Sequence, residues 1–157
     1  MTFNKKSILD QITEQTKEQL EHSTREALNL KEAATNEESK AENKYDTRGL
    51  EASYMAQAQS LRVSELKKDH FNLLKMALPD TPTKAVLGSI IELLTVDSEE
   101  KTFYFLLPVG GYSHTTDNSI LVKSVSITSP LGTKLIGKEV GDEFIFRKKV
   151  FEINNLS

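Results

Sequence analysis

The chain has 157 residues, 38% of them hydrophobic, and a formal net charge of −3. That length suits one ordinary domain, or a helical hairpin followed by a small domain, and the low apolar fraction fits a solvated coiled coil better than a compact globule. The charge balance gives no general pull toward nucleic acid or anionic membrane, and the absence of cysteine excludes disulfides, zinc–thiolate sites and thiol catalysis.

The opening MTFNKKSILDQ lacks the apolar core of a secretory signal. No run approaches the roughly 18 apolar residues that a membrane span needs. A soluble, cytoplasmic protein is expected. Composition then shifts sharply near residue 77: residues 1–76 hold no proline and one glycine, Gly49, whereas 77–157 hold all four prolines and the other glycines. The first part is rich in Glu, Gln, Lys, Ala and Leu, which favour helix; the second is rich in Val, Ile, Phe, Tyr and Thr, which favour strand. This predicts a helical region over 1–76, a linker over 77–83 and a β-rich domain over 84–157.

A first helix is predicted from about Lys5 to Asn36. Ile8, Ile12, Leu20, Ala27, Leu30 and Ala34 recur at helical spacing and give a narrow seam, interrupted at Thr16 and at Ser23 or Thr24. A second helix is predicted from about Asn43 to Met76, with its stripe on Leu50, Tyr54, Ala58, Leu61, Leu66, Phe71 and Leu74. Gly49 costs roughly 1 kcal/mol relative to alanine inside a helix, and would either let a partner helix approach closely or mark a local irregularity near the tip. Two such helices joined by a short polar stretch fold back as an antiparallel hairpin whose arms, at about 1.5 Å per residue, reach roughly 45 Å. The hairpin places Glu37, Glu38, Glu42 and Asp46 at or near its tip, over about 36–46. Clustered carboxylates can bind a divalent cation. A solvated charged turn is the commoner fate of such a run, and Lys40 and Lys44 lie among the acids.

Pro79 and Pro82 stop the second helix. Residues 85–97 then read as a strand and 101–109 as its hairpin partner. Residues 110–119 read as a loop, 120–128 as one or two strands, 129–137 as a short helix opened by Pro130 and closed by Gly137, and 142–154 as closing strands. The fold class is therefore α+β: an antiparallel helical hairpin, then a small antiparallel β domain with one short helix. Within it, His22, His70 and His114 share no ligand spacing. Gly110-Gly111 is not followed by the lysine and serine or threonine of a phosphate loop. Phe103, Tyr104, Phe105, Phe144 and Phe146 could line a site for a prolyl peptide, although core is the commoner place for such residues.

The stretch Ser129 to Phe146, SPLGTKLIGKEVGDEFIF, carries a more specific signal. Its order S-P-L-G-x-x-L-I-G-K-x-V-G-D-E closely resembles the signature of the C-terminal domain of the bacterial GreA/GreB transcript cleavage factors. The hairpin, linker and small domain resemble that family's architecture too. The resemblance implies an FKBP-like C-terminal domain that binds bacterial RNA polymerase, with Ser129, Pro130, Leu131 and Gly132 toward the docking surface. It also implies a coiled coil inserted into the secondary channel, where tip acids help hold magnesium at the polymerase active site and stimulate cleavage of backtracked RNA. The chain itself would then be no enzyme, would hold no cofactor of its own beyond magnesium shared with the polymerase, would meet DNA or RNA only through the elongation complex, and would be a monomer.

Carried over residue by residue, Glu42-Asn43 matches the family's glutamate–asparagine pair, Ser39 stands where the family has aspartate, and Tyr45 lies one residue closer than the family tyrosine. AENKYDTRGLEASY resembles a GreA/GreB-like side branch. Glu42 is thus the first candidate for the metal-directed acid, with Glu38, Glu37 and Asp46 behind it. Two alternatives follow: a regulator that occupies the same channel without cleaving and competes with cleavage factors, and a prolyl isomerase.

Overall fold

The computed structural model describes residues 3–35, 42, 44, 45 and 47–157. Among the described residues, three helices, α1 (Lys5–Thr35), α2 (Arg48–Leu74) and α3 (Gly132–Leu135), accompany six strands: β1 (Ile90–Thr95), β2 (Glu100–Leu107), β3 (Ser113–Thr115), β4 (Leu121–Ser126), β5 (Glu143–Phe146) and β6 (Lys149–Leu156). The chain forms two compact units, one of Met1–Thr13 with Asn72–Ser157 and one of Glu14–Phe71. The break expected at 77–83 is therefore not where the packing divides, because the first residues of α1 and the last of α2 belong with the sheet.

In the first unit the strands lie in the order β3-β4-β2-β1-β6-β5. Every pair is antiparallel except β2 with β4, which run parallel with Phe103 opposite Val122 and Leu107 opposite Ser126. The α+β class, long helices followed by a sheet domain, is the one expected. Successive strand residues point to opposite faces, and the core divides accordingly. Ile90, Phe105, Leu107 and Val122 pack on one face with Ile8, Leu9, Ile12 and Leu73 from the helices. Ile91, Leu93, Leu106, Val125 and Ile153 pack on the other with Leu135 of α3 and Phe144. Phe3 adds an edge-to-face contact with Phe103, ring centroids 5.4 Å apart.

Local chemistry sets the boundaries. Helix α1 starts at Lys5 because the Asn4 side-chain oxygen accepts the Ser7 N–H at 3.0 Å, a side-chain cap of the first turn. The strand expected over 85–97 is confined to Ile90–Thr95. Before it, Gly88 sits at φ 88°, and Ala85 exchanges backbone hydrogen bonds with Gly137 and Lys138 instead of a strand partner. The expected loop 110–119 contains the short edge strand β3, and 120–128 yields one strand. Strands β5 and β6 meet through a two-residue turn, Arg147-Lys148, with φ of 50° and 66°. Both residues positive is the type I′ geometry, usually filled by Asn-Gly. Left-handed backbone costs an ordinary L-residue roughly 1–2 kcal/mol.

In the second unit, α2 begins at Arg48, where Thr47 accepts the Glu51 N–H at 2.9 Å and its hydroxyl donates to the Glu51 carboxylate at 2.8 Å. Gln59 of α2 donates to the Ser23 carbonyl at 3.5 Å and to Glu26 at 2.9 Å on α1, and the later Leu73 packs with the earlier Ile8, Leu9 and Ile12, so the two helices run antiparallel. The stripe predicted on α2 is corrected. Of its members only Leu66 is buried, while Leu50, Tyr54, Leu61, Phe71 and Leu74 are exposed. The inward column is Gly49, Ala52, Ala56, Gln59, Val63 and Leu66, at alternating spacings of three and four. Its upper half is built from small residues. On α1 the polar residues read as interruptions, Thr16 and Ser23, are themselves buried.

Candidate functional site

Of the four tip acids, Glu42 is described; Glu37, Glu38 and Asp46 lie outside the described residues. The Glu42 carboxylate is exposed and stands 3.6 Å from the Arg48 guanidinium at the start of α2. Lys44 projects over the Tyr45 ring, 4.9 Å from its centroid. The described tip therefore presents two cations and a tyrosine beside its one carboxylate. Among the described residues no three metal-binding side chains come together. Of the described residues, one arginine-paired carboxylate is too few to hold an ion. A magnesium ion at Glu42 would need further oxygen ligands.

The motif residues divide by role. Ser129 Oγ donates to the Ser126 carbonyl at 2.7 Å and accepts the Gly132 N–H at 3.0 Å, closing the turn into α3. A Cβ on Gly132 would stand 1.9 Å from the Ser126 carbonyl oxygen, so only glycine fits. Pro130 is exposed. Leu135 is fully buried, whereas Ile136 is exposed. Gly137 takes φ 79° to end the helix. The KEVG turn is tied back by Lys84, which meets Glu139 at 2.9 Å. That hydrogen bond and charge hold the Lys84 ammonium above the usual lysine range. Ser129 and Gly132 thus serve the turn, and Leu131 and Phe146 reach a cavity.

That cavity, of about 260 Å³, lies on the α3 side of the sheet, with walls from Leu93, Tyr104, Leu131, Phe146 and Phe151. Arg147 and Lys149 stand at its edge, and the Arg147 guanidinium lies 5.3 Å from the Phe146 ring centroid. Of the aromatics read from the sequence, Phe105 and Phe144 are core, while Tyr104 and Phe146 line this cavity.

Residues 80–155 match the family model described as transcription elongation factor GreA/GreB, C-terminal. Over this region the chain is similar to the GreA/GreB C-terminal domain. It is 30% identical over 98 residues to the transcription elongation factor GreA of Aliarcobacter butzleri, a match spanning 59% of this chain and 57% of that protein. Against the GreA factor homologue Gfh1 of Thermus thermophilus it is 23% identical with a TM-score of 0.35, covering 95% of this chain and 92% of that one. Against a GreA/GreB factor of Nitrosomonas europaea it is 19% identical with a TM-score of 0.37, covering 64% and 91%. At such scores the fold is read from the strand pairing itself.

The histidines of this chain form no common site. His22 is exposed beside Glu26 at 3.6 Å. Because Gln59 faces Ser23, His22 lies across from residues about ten positions before His70, roughly 15 Å along the helix, so the two do not meet. His70 is half-buried, and its Nδ1 has no hydrogen-bond partner. His114 borders a polar pocket with Asp117 and Ser7. Two features escaped the sequence reading. One is the Arg48–Glu42 pair, signalled only by an arginine six residues on. The other is the cationic edge of the cavity, signalled by the run Arg147-Lys148-Lys149.

Proposed function

We propose that this chain is a transcription elongation factor that binds bacterial RNA polymerase, docking through its C-terminal domain and extending the helical hairpin into the secondary channel. The observation that carries this reading is the match to the GreA/GreB C-terminal domain over 80–155, preceded by two long antiparallel helices. A thin helical pair with a small-residue seam suits a narrow passage better than it suits independent stability. Any chemistry would be the polymerase's own, with Glu42, and Glu37, Glu38 and Asp46 behind it, as acids the tip could offer to a polymerase-held magnesium ion. A capture experiment tests the proposal. Immobilised full-length chain is expected to retain purified bacterial core polymerase, and no retention at micromolar protein would refute it.

A second reading is favoured by one specific contact. Glu42 is held 3.6 Å from Arg48, and Ser39 occupies the place of the family aspartate. A carboxylate already paired with a guanidinium is a weaker metal ligand. The chain would then occupy the channel and compete with cleavage factors without cleaving. On this reading Arg48→Ala frees Glu42 and raises any RNA cleavage, whereas Glu42→Ala leaves polymerase binding unchanged.

A further inference from the structure

The outer face of α2 carries apolar residues that the hairpin does not bury. Leu50, Tyr54 and Leu61 are each more than half exposed. At 3.6 residues per turn they fall within about 40° of one another, opposite the inward column of Gly49, Ala52, Ala56 and Gln59. Met55, also exposed, flanks them. From Gly49 to Leu61 the helix holds a single charged residue, Glu51, whereas Arg48 precedes the stretch and Arg62 follows it. An apolar, nearly uncharged strip on the outside of a solvated arm marks a surface that another protein face covers.

Taken at roughly 200 Å² for each large side chain, the exposed parts of Leu50, Tyr54, Met55 and Leu61 amount to about 450 Å². A standard interface buries about 800 Å² per partner, a little over half of it apolar. The strip therefore supplies the apolar share of one side of an interface, and a second copy of the chain supplies the other side with the same residues. The charges choose the direction. Antiparallel pairing about a twofold axis between Met55 and Ala56 sets Leu50 against Leu61, and Tyr54 against Gln57, of the second copy. Counted along the helices, Glu51 then lies within one turn of Arg62, and Arg48 within one turn of Glu65, of the second copy. Parallel pairing sets Arg48, Glu51 and Arg62 each level with its own kind, like charge on like.

We propose that this face pairs with a second copy of the chain: two arms meet antiparallel through Leu50, Tyr54 and Leu61 of α2, with Glu51 and Arg62 flanking the seam. The pairing does not rest on the polymerase reading. Its strength lies in the micromolar range, because the apolar strip is short and its flanking charges stay in water. The monomer is then the dilute form of the chain.

The test is sedimentation velocity of the full-length chain from sub-micromolar to sub-millimolar protein, where a monomer is expected to pass to a dimer. Tyr54→Glu with Leu61→Glu should weaken the dimer at least tenfold. Both positions face solvent in the single chain, so the melting temperature of dilute protein should hold. Arg62→Glu sets an acid beside Glu51 of the second copy and should weaken the dimer a few-fold. Cross-linking reads the direction, because the chain has no cysteine of its own. Leu50→Cys mixed with Leu61→Cys and oxidised with copper phenanthroline should give a disulfide-linked dimer, and Leu50→Cys alone at least tenfold less. A chain that stays monomeric throughout overturns the proposal. So does a dimer that the double variant leaves intact, or one in which Leu50→Cys alone links as readily as the mixture. If the chain stays monomeric and the double variant loses core polymerase in the capture experiment, the face belongs to the polymerase and the pairing inference fails. If the chain pairs through these residues but polymerase is not captured, the pairing stands and the polymerase reading fails.

Discussion

In the unit built on the sheet, Ile90, Ile91, Leu93 and Phe105 are each at most 1% exposed, whereas in the helical unit Leu50, Tyr54 and Leu61 are each more than half exposed. Both regions contain large apolar residues, but they spend them differently. The sheet domain puts them between its layers, on both faces, and borrows Ile8, Leu9, Ile12 and Leu73 from the helix ends to cover one face. The arm brings Gly49, Ala52 and Ala56 inward and leaves its large side chains outside. The sheet domain is thus organised for stability. The arm is slim, with an apolar outer surface along α2.

The sharpest break of this comparison is expected at Gly132. Gly132→Ala drives a methyl into the Ser126 carbonyl, and should cost on the order of 3 kcal/mol or more, lowering the melting temperature of the sheet unit by over 10 °C in calorimetry. Next, Leu73→Ala opens a cavity under the sheet and should cost about 2–4 kcal/mol, seen as lost hydrogen-exchange protection of β1. Leu61→Ala, the same kind of truncation on the arm's outer face, should change stability by no more than about 0.5 kcal/mol in urea unfolding. Equal losses at Leu73 and Leu61 would erase the contrast.

Between these lies Lys101→Met. Glu92 is buried, bonded to Lys101 at 2.8 Å and to Asn154 at 2.7 Å. Removing the lysine leaves a buried carboxylate with one partner and should cost about 1–3 kcal/mol. The smallest effect is expected at Asp69 on the arm, where burial raises the carboxyl pKa above its ordinary value despite the nearby Arg62. A raised folded-state pKa means that the stabilising contribution is complete below the unfolded value near 4 and is lost as pH rises through the folded value. Asp69→Asn should therefore raise the melting temperature slightly at pH 7, and the gain should vanish below about pH 4.

What the residues announced differs between the two regions for the same reason. The sheet domain was legible because the apolar runs Ile90–Leu94 and Phe103–Leu107 read as strands covered on both faces, and because Gly137 marks a helix end. The hydrophobic stripe of α2 pointed to the wrong face, since an inward column of Gly, Ala and Gln carries little hydrophobicity. The use of Phe3, Ile8 and Leu9 in the sheet's core joins residues some eighty to a hundred positions apart in the chain, which no local period can encode. Strand β3, Ser-His-Thr, has no apolar alternation to find. At the tip the sequence named Glu42, but its pairing with Arg48 depends on how the chain enters α2. The cavity draws its walls from four strands and the residue before α3, so it exists only once the fold does.

The central claim is that this chain occupies the polymerase secondary channel. The most direct measurement is transcript cleavage in a stalled, backtracked RNA polymerase complex containing a known Gre factor, with increasing amounts of the full-length chain, of Glu42→Ala and of Arg48→Ala. The account predicts that all three suppress Gre-stimulated shortening of the RNA, with Arg48→Ala alone adding cleavage of its own. Undiminished Gre-stimulated cleavage at saturating protein would contradict it.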